Sequence, residues 1–163
     1  MRRLPASPNL YPDLPQIVPV MKSLAVAYRD IGRLPEAGQV RALLRQLYQM
    51  LADVLLRGTS HARLAGAAAG FPEMFPERGE GCVRAAGLLA RCVPLALKDD
   101  RLPEEKRRQL AGEYEDDALR FLRRAIDEGF SNADELRTAP AFESLRSRDE
   151  FKKLLKGLES GSK

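Results

Sequence analysis

The chain has 163 residues, 44% of them hydrophobic and 31% charged, with no Trp, one His, two Cys and a formal net charge of +4. That length and balance fit one ordinary globular domain and exclude a disordered chain. The charge excess sits in residues 1–100, with 13 Lys and Arg against 9 Asp and Glu, while residues 101–163 carry 14 of each; this is too mild, and too poor in aromatics, for the dense basic stripe of a nucleic-acid binder.

Residues 1–15 carry Pro5, Pro8, Pro12 and Pro15, which predicts an extended lead-in. From Gln16 to Ile31 the positions Ile17, Val20, Met21, Leu24, Ala27 and Tyr28 recur at helical steps, the mark of an amphipathic helix with these residues inward. Pro19 falls in its first turn and Gly32 closes it. Pro35 opens a second helix that runs to Arg57, with Val40, Leu43, Leu44, Leu47, Leu51, Val54 and Leu55 on its buried side, and Gly58 ends it.

Ser60–Ala69 reads as a short Ala-rich helix, broken at Gly70-Phe71-Pro72, and Phe71–Pro76 as a packed loop. Helix resumes near Glu77 and reaches Leu97, burying Cys82, Val83, Ala86, Leu89, Ala90 and Val93 and bending at Pro94. Leu102-Pro103-Glu104-Glu105 starts a further helix, with acids at the positive end of its dipole, and Gly129 stops it. A helical turn at Asp134–Arg137 follows, then a capping-box spacing at Ser147 and Glu150 before Phe151, Leu154, Leu155 and Leu158. The expected organisation is an all-α domain over residues 16–158 with a disordered tail at 159–163.

Catalytic patterns are thin. His61 is the single histidine and follows Thr59 and Ser60 at a helix start, where a polar surface or capping role is expected. Asp99-Asp100 falls in a turn, and Asp116-Asp117 on a solvated helix face. No zinc-ligand spacing occurs, and Cys82 and Cys92, ten residues apart on one helix, sit too far apart to pair. Free thiols and the lack of a signal-like or spanning apolar run suggest a cytoplasmic location. The basic clusters Lys106-Arg107-Arg108 and Arg120, Arg123, Arg124 stand within a turn of acids, which predicts surface ion pairs. Phe71, Phe75 and Phe130 flank helix ends as plugs, and Phe142 and Leu145 would pack the last helix as a cap.

Leu24, Ala25, Tyr28, Gly32 and Ala37 match the tetratricopeptide repeat in type and spacing. Small residues at Ala25 and Ala37 let two helices approach, and Tyr28 fills the groove between them. Arg41 and Leu44 depart from the pattern. Ala118, Leu122 and Ala125 are spaced as in the second helix of another repeat. Across residues 71–158, the runs Ala90–Ala96, Tyr114–Ala125 and Leu145–Phe151 resemble the terminal repeats of tetratricopeptide regions appended to large bacterial serine/threonine protein kinases. The resemblance implies antiparallel helix pairs stacked as a short solenoid with a C-terminal capping helix, and a role in recruiting or regulating partners. The kinase motifs themselves are absent: Gly79 and Gly81 make no phosphate loop, and no Asp-Phe-Gly occurs.

The expected function is therefore a non-catalytic protein-interaction scaffold without cofactor, metal or membrane span. Lys22, Arg29, Arg33 and Arg41 are the candidate contacts to a protein or peptide segment. A basic adaptor for nucleic acid or acidic partners, and a structural tail that self-associates, are the alternatives.

Overall fold

The computed structural model describes residues 14–57, 60–75 and 79–161. All regular structure there is helical: α1 Leu14–Asp30, α2 Leu34–Arg57, α3 His61–Ala68, α4 Phe71–Met74, α5 Glu80–Leu97, α6 Glu104–Asp127, α7 Ala133–Thr138 and α8 Asp149–Gly161, with a 3-10 stretch Pro140–Leu145 before α8. The all-α class read from the sequence holds. No described helix is long and apolar enough to cross a membrane. The chain forms two compact units, one reaching to Leu47 and one starting at Tyr48, where the sequence suggests a single domain.

The helix limits differ from expectation at both ends. Leu14 and Pro15 belong to α1 rather than to a lead-in, and Glu159, Ser160 and Gly161 complete α8 rather than starting a disordered tail. Pro15 is tolerated because the first helical turn leaves its N–H groups unpaired anyway. α8 begins at Asp149, so Arg148 and not Ser147 stands just before it. Phe71–Met74 closes into a single helical turn instead of a loop, and Pro76 and Glu77 lie outside the described residues.

In the first unit the chain reverses at Gly32, whose φ of +77° is a left-handed conformation that glycine adopts without strain. Gly32 N–H donates to the Arg29 carbonyl at 3.0 Å and Arg33 N–H to the Tyr28 carbonyl at 2.8 Å, closing α1 before α2 opens. Ala25, Ala37, Val40 and Leu44 are buried. Val20, Leu24, Ala27 and Leu43, expected inward, are exposed. Leu24 and Leu43, each one position before a buried residue and so about a quarter turn away from it, face outward. The side chains of Ile17, Met21, Lys22, Leu51, Val54 and Leu55 lie outside the described residues.

The second unit is built on α5. Cys82, Val83, Ala85, Ala86, Leu88, Leu89, Ala90, Cys92, Val93 and Ala96 are all buried, so nearly the whole circumference is covered, as for a helix apolar all round. It packs against α3, α4, α6 and the 3-10 stretch. Ala118, Leu122 and Ala125 of α6 are fully buried, as their repeat-like spacing suggests. Phe71, Phe75, Phe130, Phe142 and Leu145 are buried at the helix ends, with Phe71 and Phe75 stacked at 5.7 Å. Pro94 does not end α5, which continues to Leu97.

Two glycines set how closely other chain segments approach the start of α5. A Cβ on Gly79, at φ +73°, would lie 2.4 Å from the Ala125 carbonyl oxygen. One on Gly81 would lie 2.4 Å from the Phe71 oxygen and 2.6 Å from the Phe75 oxygen, while Gly81 N–H donates to that Phe75 oxygen at 2.9 Å. The rigid obstacle is backbone, so a methyl group there must push α4 away. We predict that Gly81→Ala lowers unfolding free energy by about 3 kcal/mol, the upper range for overpacking. Gly112→Ala in α6, with nothing within 4 Å of the added Cβ, should instead raise it by about 0.5–1 kcal/mol; urea titration of both variants checks the pair.

Candidate functional site

The four residues singled out from the sequence lie on the first unit. Arg29 and Arg41 are exposed. Arg29 pairs with Asp30 at 3.1 Å. Arg33 sits in the turn with its guanidinium 5.1 Å from the Tyr28 ring centre and its Nε donating to Glu36 at 2.7 Å. Lys22 belongs to α1 two turns before Arg29, with its side chain outside the described residues.

Helical register separates the surface of this hairpin into two sides. Counting about 100° per residue, Val20 and Leu24 of α1 fall within about 40° of one another, and Leu43 of α2 lies about a quarter turn from the buried strip in the same helical sense, in line with Glu36 two turns before it. In antiparallel helices that common sense brings them to one side of the pair. Lys22, Arg29, Arg41 and Arg45, with Val26 and Leu34, fall to the other. Residues 1–47 hold seven Lys and Arg against three Asp and Glu, whereas residues 48–163 hold 20 of each, so the whole net charge belongs to this part of the chain. Within residues 14–47 the balance is five Lys and Arg against two Asp and Glu, with Lys22, Arg29, Arg41 and Arg45 to one side and Glu36 in line with the exposed Leu43 on the other.

A second cluster lies in the other unit and was not legible from the sequence. His61, expected at the surface, is buried at 5% exposure. Its Nδ1 is 2.8 Å from the Tyr114 hydroxyl and its Nε2 is 3.3 Å from Asp99 Oδ2. Arg101 holds Asp99 with two 2.7 Å hydrogen bonds, Nε to Oδ1 and Nη2 to Oδ2. Asp99 is thus in a turn, as expected, but engaged rather than solvated, with a side chain 7% exposed. The guanidinium of Arg101 keeps its carboxyl well below the usual carboxylate range. An ionised carboxylate only accepts, so His61 Nε2 carries a proton toward it, and in the neutral imidazole Nδ1 accepts from the tyrosine. Cys92 Sγ donates to the His61 carbonyl at 3.4 Å. The signal that could have found this cluster is a lone histidine opening a helix of otherwise small residues, but its partners stand 38 and 53 residues away.

The chemistry of this cluster is that of a fastener. Burial pushes the Cys92 thiol up to about 12 and raises Tyr114 as well, so both hydroxyl and thiol stay protonated near neutrality. The network joins the start of α3, the α5–α6 turn and the middle of α6. Elsewhere, Arg148 ties the start of α8 to α6 through Glu115 at 2.7 Å and Asp116 at 2.8 Å. The α6 cations form surface pairs as expected, Arg120 with Asp117 and Arg124 with Glu128. Arg107 differs: its Nη1 donates to the Leu97 carbonyl at 3.3 Å. Among the described residues no three His, Cys, Asp or Glu side chains converge as a metal site would require.

No protein family model, curated protein or solved structure matches this chain.

The His61 network has a pH signature. Asp99 has a lower pKa folded than unfolded, so its stabilisation is present above the unfolded value of about 4 and is lost as pH falls below it through the native value. Urea denaturation of wild type and Asp99→Asn should therefore differ most at neutral pH and converge below about pH 4; a difference constant with pH would contradict this. Tyr114→Phe should cost about 1 kcal/mol at neutral pH, as one hydrogen bond is lost.

Proposed function

We propose that this protein is a non-catalytic interaction module that recruits a protein segment through the basic side of its α1–α2 hairpin. The observation that supports this is the cation excess of residues 14–47, five Lys and Arg against two Asp and Glu, with Arg29, Arg33 and Arg41 exposed there and Lys22 in register with Arg29. Val26 at 42% and Leu34 at 63% exposure lie on the same side and give a partner apolar contacts among the charges. Such a mixture suits a segment that carries acids next to apolar residues, because charge steers the encounter and apolar anchors supply the lasting contact.

The tetratricopeptide resemblance supports the same reading: stacked helix pairs serve recruitment, and a close approach at Ala25 and Ala37, both buried, is what the repeat requires. On this reading the protein is a short relative of the repeat regions that accompany bacterial signalling kinases. Its second unit is a support: α5 is enclosed, and the polar groups around it are tied to one another.

The test is affinity capture from native lysate at low and high salt, with wild type and a variant carrying alanine at Lys22, Arg29, Arg33 and Arg41. A protein partner held by wild type and lost by the variant is the expected outcome. Capture of nucleic acid alone, released as salt rises, would replace this reading with a basic adaptor.

A further inference from the structure

We propose that the cavity between the start of α5 and the α6–α7 turn is a second binding site, which takes an arginine side chain carried on a segment of a partner protein. It lies in the second unit and uses none of the hairpin residues, so it stands or falls apart from the recruitment proposal.

The cavity measures about 500 Å³, within the range of about 300–1,000 Å³ that binding sites occupy. α5 contributes Glu80, Val83 and Arg84, residues 129–132 of the turn form a second wall, and α7 contributes Glu135. Val83 and Phe130 are buried and make an apolar floor. Glu80, Arg84, Ser131, Asn132 and Glu135 are exposed and make a polar rim. The turn is fixed without a ligand. Gly129 takes a φ of +97°, Phe130 N–H donates to the Ala125 carbonyl at 2.9 Å, and the Asn132 side chain accepts from Glu135 N–H at 3.1 Å. A preformed wall spares a ligand the cost of ordering it.

Charge decides what fits. Arg84 is the one cation that lines the cavity among the described residues. Its guanidinium lies over the Phe75 ring, 4.6 Å from the centre, and reaches Glu80 only at 3.9 Å. Glu135 accepts from the Asn132 amide at 3.3 Å and pairs with no cation among the described residues. The acids next to it are already matched, Asp134 by Arg137 and Glu128 by Arg124. Helix ends do not change the balance. The end of α6 and the start of α5 both border the cavity, and their dipoles, about half a charge each, are of opposite sign. Two carboxylates against one guanidinium therefore leave a net negative lining.

A single cation restores neutrality. An apolar floor below carboxylates suits an aliphatic stem with a charged head. Arginine fits better than lysine, because its planar fork of donors serves more than one carboxylate oxygen at once. At about 30 Å³ for each heavy atom, its side chain takes roughly 200 Å³. Less than half the cavity is then filled, and the rest admits the chain that carries the arginine. The Ser131 hydroxyl, without a protein partner among the described residues, stands at the rim for that chain's amide groups.

Proton–nitrogen NMR titration of the full chain with the capped peptide Gly-Ser-Arg-Ser-Gly tests this. The expected result is saturable shifts at the amides of Val83, Gly129, Ser131 and Asn132, with a dissociation constant on the order of 1 mM. Citrulline in place of the peptide's arginine keeps the shape without the charge and should weaken binding about fivefold or more. Glu135→Gln retains an oxygen to accept from Asn132 and should weaken the arginine peptide by a similar factor, as should Glu80→Gln. Glu105→Gln is the control: Glu105 is also exposed but stands at the far end of α6, and this variant should bind as wild type does. Absence of saturable shifts at these amides, equal binding of the citrulline peptide, or wild-type affinity in both cavity variants would overturn the proposal. Butylguanidinium is the last arm. Binding as tight as the peptide's would assign the cavity to a small free cation and overturn the protein segment.

Discussion

Everything in the second unit follows from α5 being apolar around almost its whole circumference. Such a helix is stable in water only when neighbours cover every side, and α3, α4, α6 and the 3-10 stretch do so. Coverage at that density requires backbone to approach backbone. Gly79 admits the end of α6 and Gly81 admits α4, and Gly87 lets Ala141 and Phe142 settle on the one face that Arg84 and Arg91 otherwise leave exposed. Once the covering pieces are in place their polar groups must find partners. His61, Asp99, Arg101 and Tyr114 join three of the segments, and Ser144 Oγ donates to the Ala90 carbonyl at 2.9 Å to hold the 3-10 stretch. Arg148 does the same for α8.

The first unit obeys a different constraint. Among its described side chains Ala25, Ala37, Val40 and Leu44 are buried, while Val20, Leu24 and Leu43 are exposed. Register places Lys22, Arg29, Arg41 and Arg45 to one side and Glu36 in line with the exposed Leu43 on the other. The second unit buries most of the apolar residues around α5, whereas the first leaves Val20, Leu24, Val26, Ile31, Leu34 and Leu43 exposed.

Much of the helical order can be read directly from punctuation. Gly32, Pro35, Gly70, Pro103 and Gly129 mark breaks that the structure has, each through a backbone preference that acts locally. Inward positions on α5 and α6 are equally plain, since a helix with so few polar residues leaves little choice. The outward apolar residues of α1 and α2 could not be read, because periodicity shows that Val20, Leu24 and Leu43 share helical spacing but not which of two apolar strips is buried. The His61 network was hidden for another reason. Its members are scattered between residues 61 and 114, and only the packing around α5 brings them together. Gly79 and Gly81 make no phosphate loop, and the close approach they permit becomes visible only when Ala125 and Phe71 are in place. Lys22, Arg29, Arg33 and Arg41 are candidate contacts on sequence grounds, and the register that puts Lys22, Arg29 and Arg41 on one side is a property of the hairpin.

The central claim is that the unit around α5 covers its own apolar residues while the first unit leaves apolar and basic side chains exposed. Amide hydrogen exchange of the full chain addresses it most directly. The account predicts slow exchange in α5 and α6, with faster exchange in α1 and the first half of α2. Uniform protection across all helices would contradict it.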